Sequence, residues 1–396
     1  MSAYSTALHK KRASFIIDQS NDEVKGSRRT SDRMLLAAVL ALMIFGVLAV
    51  YSSIAYFAEM HNTTASQLVF SHIVKLVLAF SVMIIVSKID YHTIARFSKI
   101  MLLLSWLFLL VVSLYGNEVF GARRSLNIVG FSFQPSSLAS LALLVHLCAM
   151  MVKRRRKIKS FNDTMVPMLG WIGITCFLIG IEDFSSAAML LVLSFTMMFF
   201  ARMSLLHLGF FVICGAIGAV ALVGQSAERQ SRINNYVQQI IAIESAEFQT
   251  GEGYQPQQAH IAIAKGGLFG VGIGKSTQRD FLPAPYNDYI YAIIAEEYGL
   301  IGASTLLFVF VLILIRGVIY IAKNAPDELG TLMAVACTLH IVLYGFVNAA
   351  VASGLFPVTG LPIPFISYGG TSMLFSGVMV GIMLNISKNK RGGGKR

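Results

Sequence analysis

Ten apolar stretches, most of them roughly 17–25 residues long, divide this chain, and that repeat closes off most folds. A helix needs about 20 such residues to cross a hydrocarbon layer ~30 Å thick, and a spanning segment must satisfy its own backbone hydrogen bonds. The stretches lie at about 34–57, 67–87, 98–115, 136–152, 164–181, 185–201, 205–224, 287–316, 328–351 and 368–387. Only 13% of the 396 residues are charged and the mean hydropathy is +0.68, whereas soluble domains are nearer a quarter charged. The expected fold is therefore all-α: a polytopic integral membrane protein with about ten transmembrane helices.

Charge orients the spans. Ten crossings put both ends of the chain on one side. Of the 32 Lys and Arg, only Arg123, Arg124, Arg229, Arg232, Lys265, Lys275 and Arg279 fall in loops on the other side, and Lys75 falls within a span. "KRRRKIK" at 153–159 is the densest basic run. The positive-inside rule then places both termini in the cytoplasm. Topology and contact with anionic lipid account for the formal charge of +12, and nucleic acid is not an expected partner. Residues 1–32 and 388–396 have the composition of disordered cytoplasmic tails flanking one membrane domain, 33–387. The first apolar run follows a long polar segment, unlike a cleavable leader. The extracytoplasmic loop at 225–287, between spans 7 and 8, is long enough to expect an ordered, functional cap. Cys148, Cys176, Cys214 and Cys337 all lie in apolar segments, with neither metal-ligand spacing nor a disulfide framework.

Within the long loop, "GVGIGKS" at 270–276 superficially suggests a phosphate loop. That motif requires a glycine five residues before its Gly-Lys pair, where Phe269 stands, and a preceding strand. What survives is simpler. Exposed backbone N–H groups with Lys275 and Arg279 would suit a diphosphate, while on spacing alone Gly270, Gly272 and Gly274 serve tight turns or close packing equally well. The prolines of "FPVTGLPIPFISYGG" at 356–370 mark irregular backbone that either packs in protein or lines a polar cavity.

Three carboxylates stand where the loop enters span 8: Asp288, Glu296 and Glu297. A helix beginning near Asn287 puts Asp288 in its first turn, at the outer boundary, where the helix dipole favours a negative charge. Glu296 is then about 12 Å deeper and roughly 80° around the helix, and Glu297 lies nearly opposite Asp288. The two glutamates are expected to tie the helix to neighbours or to line a polar cavity.

The segment "GEGYQPQQAHIAIAKGGLFGVGIGKSTQRDFLPAPYNDYIYAIIAEEYGLIGA" at 251–303 resembles the signature loop and helix of the SEDS family (shape, elongation, division and sporulation). So do "GFSFQPSS" at 130–137 and "GLFPVTGLPIPFISYGGTSML" at 354–374, and the resemblance spans all ten helices. It implies a peptidoglycan glycosyltransferase that polymerises lipid II in the bacterial cytoplasmic membrane, beside a class B penicillin-binding protein and other division proteins. By the same resemblance Asp288 is the essential acid, with Arg124, Asp183, Lys275, Ser276, Gln278 and Arg279 as substrate contacts. Gln134, Glu296 and Glu297 line or support a polar cavity. The chain departs from the family pattern at several positions. Ser125 follows Arg124 in place of a tryptophan, Glu182 replaces a proline before Asp183, and "PYND" at 285–288 stands where relatives often have His-Thr-Asp. Most consequentially, Ser137 and Ser140 replace a glutamate and a lysine in "QPSSLAS". Losing both charges leaves neither unpaired; Lys75 is a candidate replacement cation, or merely extends to the interface.

The implied chemistry needs a base for the attacking hydroxyl and positive charge for the departing diphosphate. Asp288 is the expected base; Arg124, Lys275 and Arg279, with a divalent cation (Mg or Mn) as the one cofactor left open, would carry the diphosphate. The alternatives are a lipid II flippase and a non-catalytic activator of the penicillin-binding protein. Within the family, septal synthesis is expected ahead of an elongation role.

Overall fold

The computed structural model describes residues 31–54, 64–119, 122–128, 131–224, 226–241, 254–282, 286 and 288–389. Its helices in chain order are α1 (Arg33–Ser53), α2 (Ala65–Val86), α3 (Tyr91–Tyr115), α4 (Pro135–Lys153), α5 (Val166–Glu182), α6 (Phe184–Phe200), α7 (Leu205–Gly224), α8 (Ala227–Ile241), α9 (Tyr254–Gly266), α10 (Ile290–Leu314), α11 (Glu328–Ala352) and α12 (Thr371–Lys388). Among the described residues, nine helices are long and apolar enough to cross a membrane, and α6, of 17 residues, supplies the tenth expected span. The chain is a multi-pass membrane protein.

Two boundaries differ from the hydropathy reading. α3 starts at Tyr91 rather than near 98 because Asp90 caps it, its side chain accepting from the His92 backbone N–H at 3.1 Å. That cap starts the helix two polar turns before the apolar run begins. α10 continues through a π-helical stretch, Ile315–Ala322, to form a span of 33 residues. One element was not expected at all. Between α3 and α4 the chain forms a three-stranded antiparallel meander, β1 (Asn117–Val119), β2 (Ala122–Ile128) and β3 (Phe131–Phe133), with Glu118 opposite Arg123 and Leu126 opposite Phe133.

α4, α11 and α12 are the most enclosed spans, α2 and α7 the least. At one end of the bundle, polar side chains lock helix ends together. Asp32 caps α1, accepting from Leu35 N at 2.9 Å, donates its own N–H to Ser387 Oγ at 3.1 Å, and pairs with Arg316. Asp32 therefore belongs to the membrane domain rather than to a tail. Asn385 accepts from Tyr91 N and donates to Ser87 O, and Lys388, still within α12, reaches the same Ser87. Arg155 pairs with Glu328 at 2.9 Å. Both ends of the membrane domain thus meet at this basic end, opposite the long loop. Tail residues 1–30 and 390–396 lie outside the described residues, as do 225, 242–253, 283–285 and 287 of the loop. The rest of the loop carries α8, α9 and a short 3-10 turn, Gln278–Asp280.

Candidate functional site

α10 is broken at Gly299, whose backbone takes φ 68° and ψ −169°. A break inside a membrane helix releases carbonyls and N–H groups that lipid cannot satisfy. Here the released groups are the carbonyls of Glu296 and Glu297 and the N–H groups of Leu300 and Ile301. The glycine-rich loop takes up all four. Val271 N donates to Glu296 O at 2.9 Å and Gly272 N to Glu297 O at 3.1 Å. Leu300 N donates to Gly267 O at 2.9 Å and Ile301 N to Leu268 O at 3.3 Å. A Cβ on Gly270 would meet the Glu297 carbonyl, and one on Gly299 the Leu268 carbonyl; both residues also hold positive φ. Close packing explains Gly270, and two of the amides expected to face a diphosphate are already engaged.

Glu296 and Glu297 complete this lock. Glu296, fully buried, accepts from Ser276 Oγ, from Thr277 N at 3.1 Å and Oγ1 at 3.2 Å, and from Gln278 N at 3.3 Å. Glu297 accepts from Ser52 Oγ at the end of α1, while Arg279 Nη1 donates to Ser52 O at 3.0 Å and Gly274 O at 3.2 Å. Through these bonds the glutamates tie α10 to the loop and to the end of α1. Ser276 and Gln278, expected as substrate contacts, are each 3% exposed and turned into the protein, so they shape the loop instead. Arg279 is likewise turned to the protein, Nη1 to the Ser52 and Gly274 carbonyls and Nε to Asp280 Oδ1 at 3.4 Å. Lys275 is exposed.

Asp288 stands two residues before α10, not in its first turn. Tyr289 is the residue preceding the helix and is buried. Asn348 on α11 holds the turn out of helical register, donating to Asp288 O at 3.0 Å and to Leu361 O at 2.8 Å. Asp288 is half-buried, its Oδ1 turned into the protein, and a Cβ on Gly360 would lie 3.8 Å from its Oδ2. Burial, and then the charge of Asp288, push the Tyr286 hydroxyl up to about 12. Burial and Asp288 raise Tyr289 as well, against an opposing pull from Arg232.

Beside this turn opens a cavity of about 610 Å³ between α5, α6, α7, α8 and α11. Asp288 does not line it, but Thr359 and Leu361, the neighbours of Gly360, do. Its walls are mostly apolar (Phe184, Met189, Leu222 and Val347 among them), and its charged lining residues are Arg229 and Arg232 from α8 and the single carboxylate Glu182 from α5. Arg229 donates to Ile181 O at 2.6 Å and Leu222 O at 2.9 Å, capping α5 and α7. Sequence reading counted these arginines only as outward charges; their three-residue spacing in a region poor in basic residues was the available signal.

The remaining expected residues are placed as follows. Asp183 caps α6, accepting from Ser186 N at 3.1 Å and Oγ at 2.7 Å, and from Gln134 Nε2 at 3.4 Å. Gln134 N donates to Thr371 Oγ1 at 3.1 Å, joining α4 to α12. Ser137 is half-buried and Ser140 buried on α4. Arg124 lies on β2. Lys75 rests its ammonium 3.9 Å from the centre of the Tyr368 ring. Among the described residues no three His, Cys, Asp or Glu side chains gather closely enough to hold a metal ion.

Fold and site together define a class: a ten-span helical membrane protein that holds a carboxylate turn at one bundle end, beside a cavity with apolar walls and two arginines. The chain belongs to the FtsW/RodA/SpoVE family, whose model, described as "Cell cycle protein", matches residues 32–392. It is 33% identical over 376 residues to stage V sporulation protein E of Bacillus subtilis, covering 92% of this chain and 99% of that one. It is 32% identical to the probable peptidoglycan glycosyltransferase FtsW of Geobacter sulfurreducens, covering 91% and 96%. Among solved structures, it is similar to a chain of a peptidoglycan synthase complex, described as coordinating polymerization and crosslinking (TM-score 0.71, 22% identity, 90% and 97% covered). It is also similar to the rod shape determining protein RodA of Thermus thermophilus (TM-score 0.64, 23% identity, 90% and 96% covered). These structural likenesses support the fold.

Proposed function

We propose that this protein is a peptidoglycan glycosyltransferase that polymerises lipid II at the outer face of the bacterial cytoplasmic membrane. The observation that carries the reading is the Asp288 carboxylate, half-buried against Gly360 at the edge of the 610 Å³ cavity. The substrate's lipid needs apolar walls and its diphosphate needs cations; the cavity offers both. Asp288 takes the proton from the acceptor 4-hydroxyl as its oxygen bonds to the donor's anomeric carbon. The anomeric carbon–phosphate oxygen bond breaks on the opposite side, and the lipid diphosphate leaves with the bonding pair. One displacement inverts an α-linkage to β and requires a single enzymic carboxylate as base. Arg229 and Arg232, which line the cavity, are better placed for the leaving diphosphate than Arg279, which does not; Lys275, exposed, and Arg124, on β2, remain further candidates for it. A divalent cation (Mg or Mn) carried on the diphosphate would neutralise part of the leaving group's charge.

The basic end faces the cytoplasm in this reading, and a class B penicillin-binding protein is the partner that cross-links the product at the septum. The relatives named FtsW favour division, and the synthase complex favours such a partner. A transporter would concentrate its working charges near the membrane midplane, whereas the carboxylate and arginines here gather at one bundle end.

Purified lipid II incubated with the full-length protein and its partner should yield glycan ladders. Asp288→Asn should lower the rate by about 10²-fold or more with melting unchanged. Full activity in that variant would remove Asp288 from the role of base.

A further inference from the structure

Both tryptophans of the chain, Trp106 and Trp171, meet where α3 and α5 run side by side, their rings 5.2 Å apart. Trp106 Nε1 donates to Thr175 Oγ1 at 2.9 Å, and seven residues further along α3 Ser113 Oγ donates to Glu182 Oε1 at 3.3 Å. The two helices are therefore parallel and in step. His146 meets the Trp171 ring edge-on at 4.9 Å and is itself held by Ser98 Oγ, 3.2 Å from Nδ1. Trp171 is half-buried, and its indole N–H, unlike that of Trp106, donates to no group among the described residues. The Lys99 ammonium lies 5.9 Å from the Trp171 ring centre, at the outer limit of a cation–π contact. Its N–H donors are thus left over. Arg96, one turn earlier, is exposed like Lys99, and neither makes an ion pair among the described residues. Lys99 stands where the apolar run of α3 begins, a depth at which a cation finds its counter-charge in lipid head groups. Leu103 and Leu110, four and eleven residues on, continue its line along α3 and are 45% and 50% exposed. Ile174, 48% exposed, and half-buried Leu178 follow Trp171 along α5.

We infer that the α3–α5 groove is a binding site for an anionic glycerophospholipid of the phosphatidylglycerol type. Its phosphate sits on Lys99, Arg96 and the Trp171 indole N–H, and one acyl chain lies between the Leu103–Leu110 line and Ile174–Leu178. Any lipid wets the leucines; the cations at the end of the groove select the head. A zwitterionic head brings its own ammonium toward Lys99 and Arg96, whereas a net negative one is complementary to both. The site belongs to the basic end of the bundle, which the positive-inside rule assigns to the cytoplasmic leaflet. A prenyl diphosphate held there would be most of a bilayer thickness, ~30 Å, from the Asp288 turn. The resident anionic phospholipid is the occupant that fits, and by filling the groove it splints α3 to α5.

Because both tryptophans flank the groove, intrinsic fluorescence reads its occupancy, and a brominated acyl chain quenches an indole that it touches. The full-length protein, in phosphatidylcholine nanodiscs, is titrated with dibrominated phosphatidylglycerol and, separately, dibrominated phosphatidylcholine. The wild type should be quenched at a mole fraction of phosphatidylglycerol lower by about fivefold per cation than that of phosphatidylcholine. Lys99→Gln should lose about fivefold of that preference with melting unchanged, the Arg96→Gln/Lys99→Gln pair should lose all of it, and Lys99→Arg should keep it. Equal quenching by the two lipids in the wild type, or an undiminished preference in the double variant, would overturn the site. Unbrominated geranylgeranyl diphosphate that relieved the quenching more effectively than unbrominated phosphatidylglycerol would overturn the assignment to a phospholipid. Asp288→Asn should be quenched like the wild type, so the result stands or falls apart from the glycosyltransferase reading.

Discussion

Replacing Glu296 with alanine removes the acceptor that holds the end of the glycine loop. The carboxylate is fully buried and receives two backbone N–H groups, Thr277 at 3.1 Å and Gln278 at 3.3 Å, together with two hydroxyls. The hydroxyls can rotate to other acceptors; the amides cannot. Each buried donor left unmade costs about 1–3 kcal/mol. Thr277 is exposed and can recruit water, so the firm loss is the amide of buried Gln278, about 1–3 kcal/mol. That corresponds to a roughly 5- to 150-fold easier local opening. Hydrogen exchange followed by mass spectrometry should show this acceleration over residues 275–280, with the basic bundle end unaffected. Glu296→Gln keeps one acceptor oxygen but turns an NH₂ toward donors, so it should fall between alanine and wild type. Wild-type exchange in the alanine variant would refute the idea that this carboxylate anchors the loop.

Two further predictions concern backbone and charge. Gly270→Ala combines φ +83° with a collision against the Glu297 carbonyl and should destabilise by about 3 kcal/mol or more. Gly274→Ala, at φ +75° with open space around it, should lose only about 1–2 kcal/mol; thermal melting that reversed this order would contradict the docking described. At the basic end, burial works to raise Asp327, but hydrogen bonds from Gly330, Tyr91 and His92 prevail and hold its carboxyl below the ordinary range. Burial likewise works to raise Asp90, but hydrogen bonds from His92 prevail and lower it. A depressed folded value stabilises above the unfolded pKa and is lost as pH falls through the folded one. Melting temperature should therefore drop on acidification below about pH 4. Asp327→Asn should flatten that drop, and identical acid profiles would argue against the clamp.

Legibility followed the range of the physics. The ten spans were readable because burial in lipid is a property of each segment's own composition, and even their ends were placed within a few residues. α3 and α10 were the exceptions, since the Asp90 cap starts one early and a π-helical stretch carries the other past its expected end. Asp288 was legible through a local motif, but its exclusion from α10 depends on Asn348, sixty residues along the chain. Arg229 and Arg232 were visible as charges and invisible as cavity walls, because the cavity exists only where α5, α6, α7, α8 and α11 converge. The β meander was missed because short strands outside the membrane carry little hydropathic signal.

What the sequence by itself determined is a helical bundle crossing the membrane ten times, with its cations gathered at one end, because the price of leaving a peptide group unpaired in lipid is levied segment by segment. Only the tertiary structure decided that the glycine loop mends the break at Gly299. Those bonds join residues some thirty positions apart, and no local pattern encodes which carbonyl a distant amide will meet.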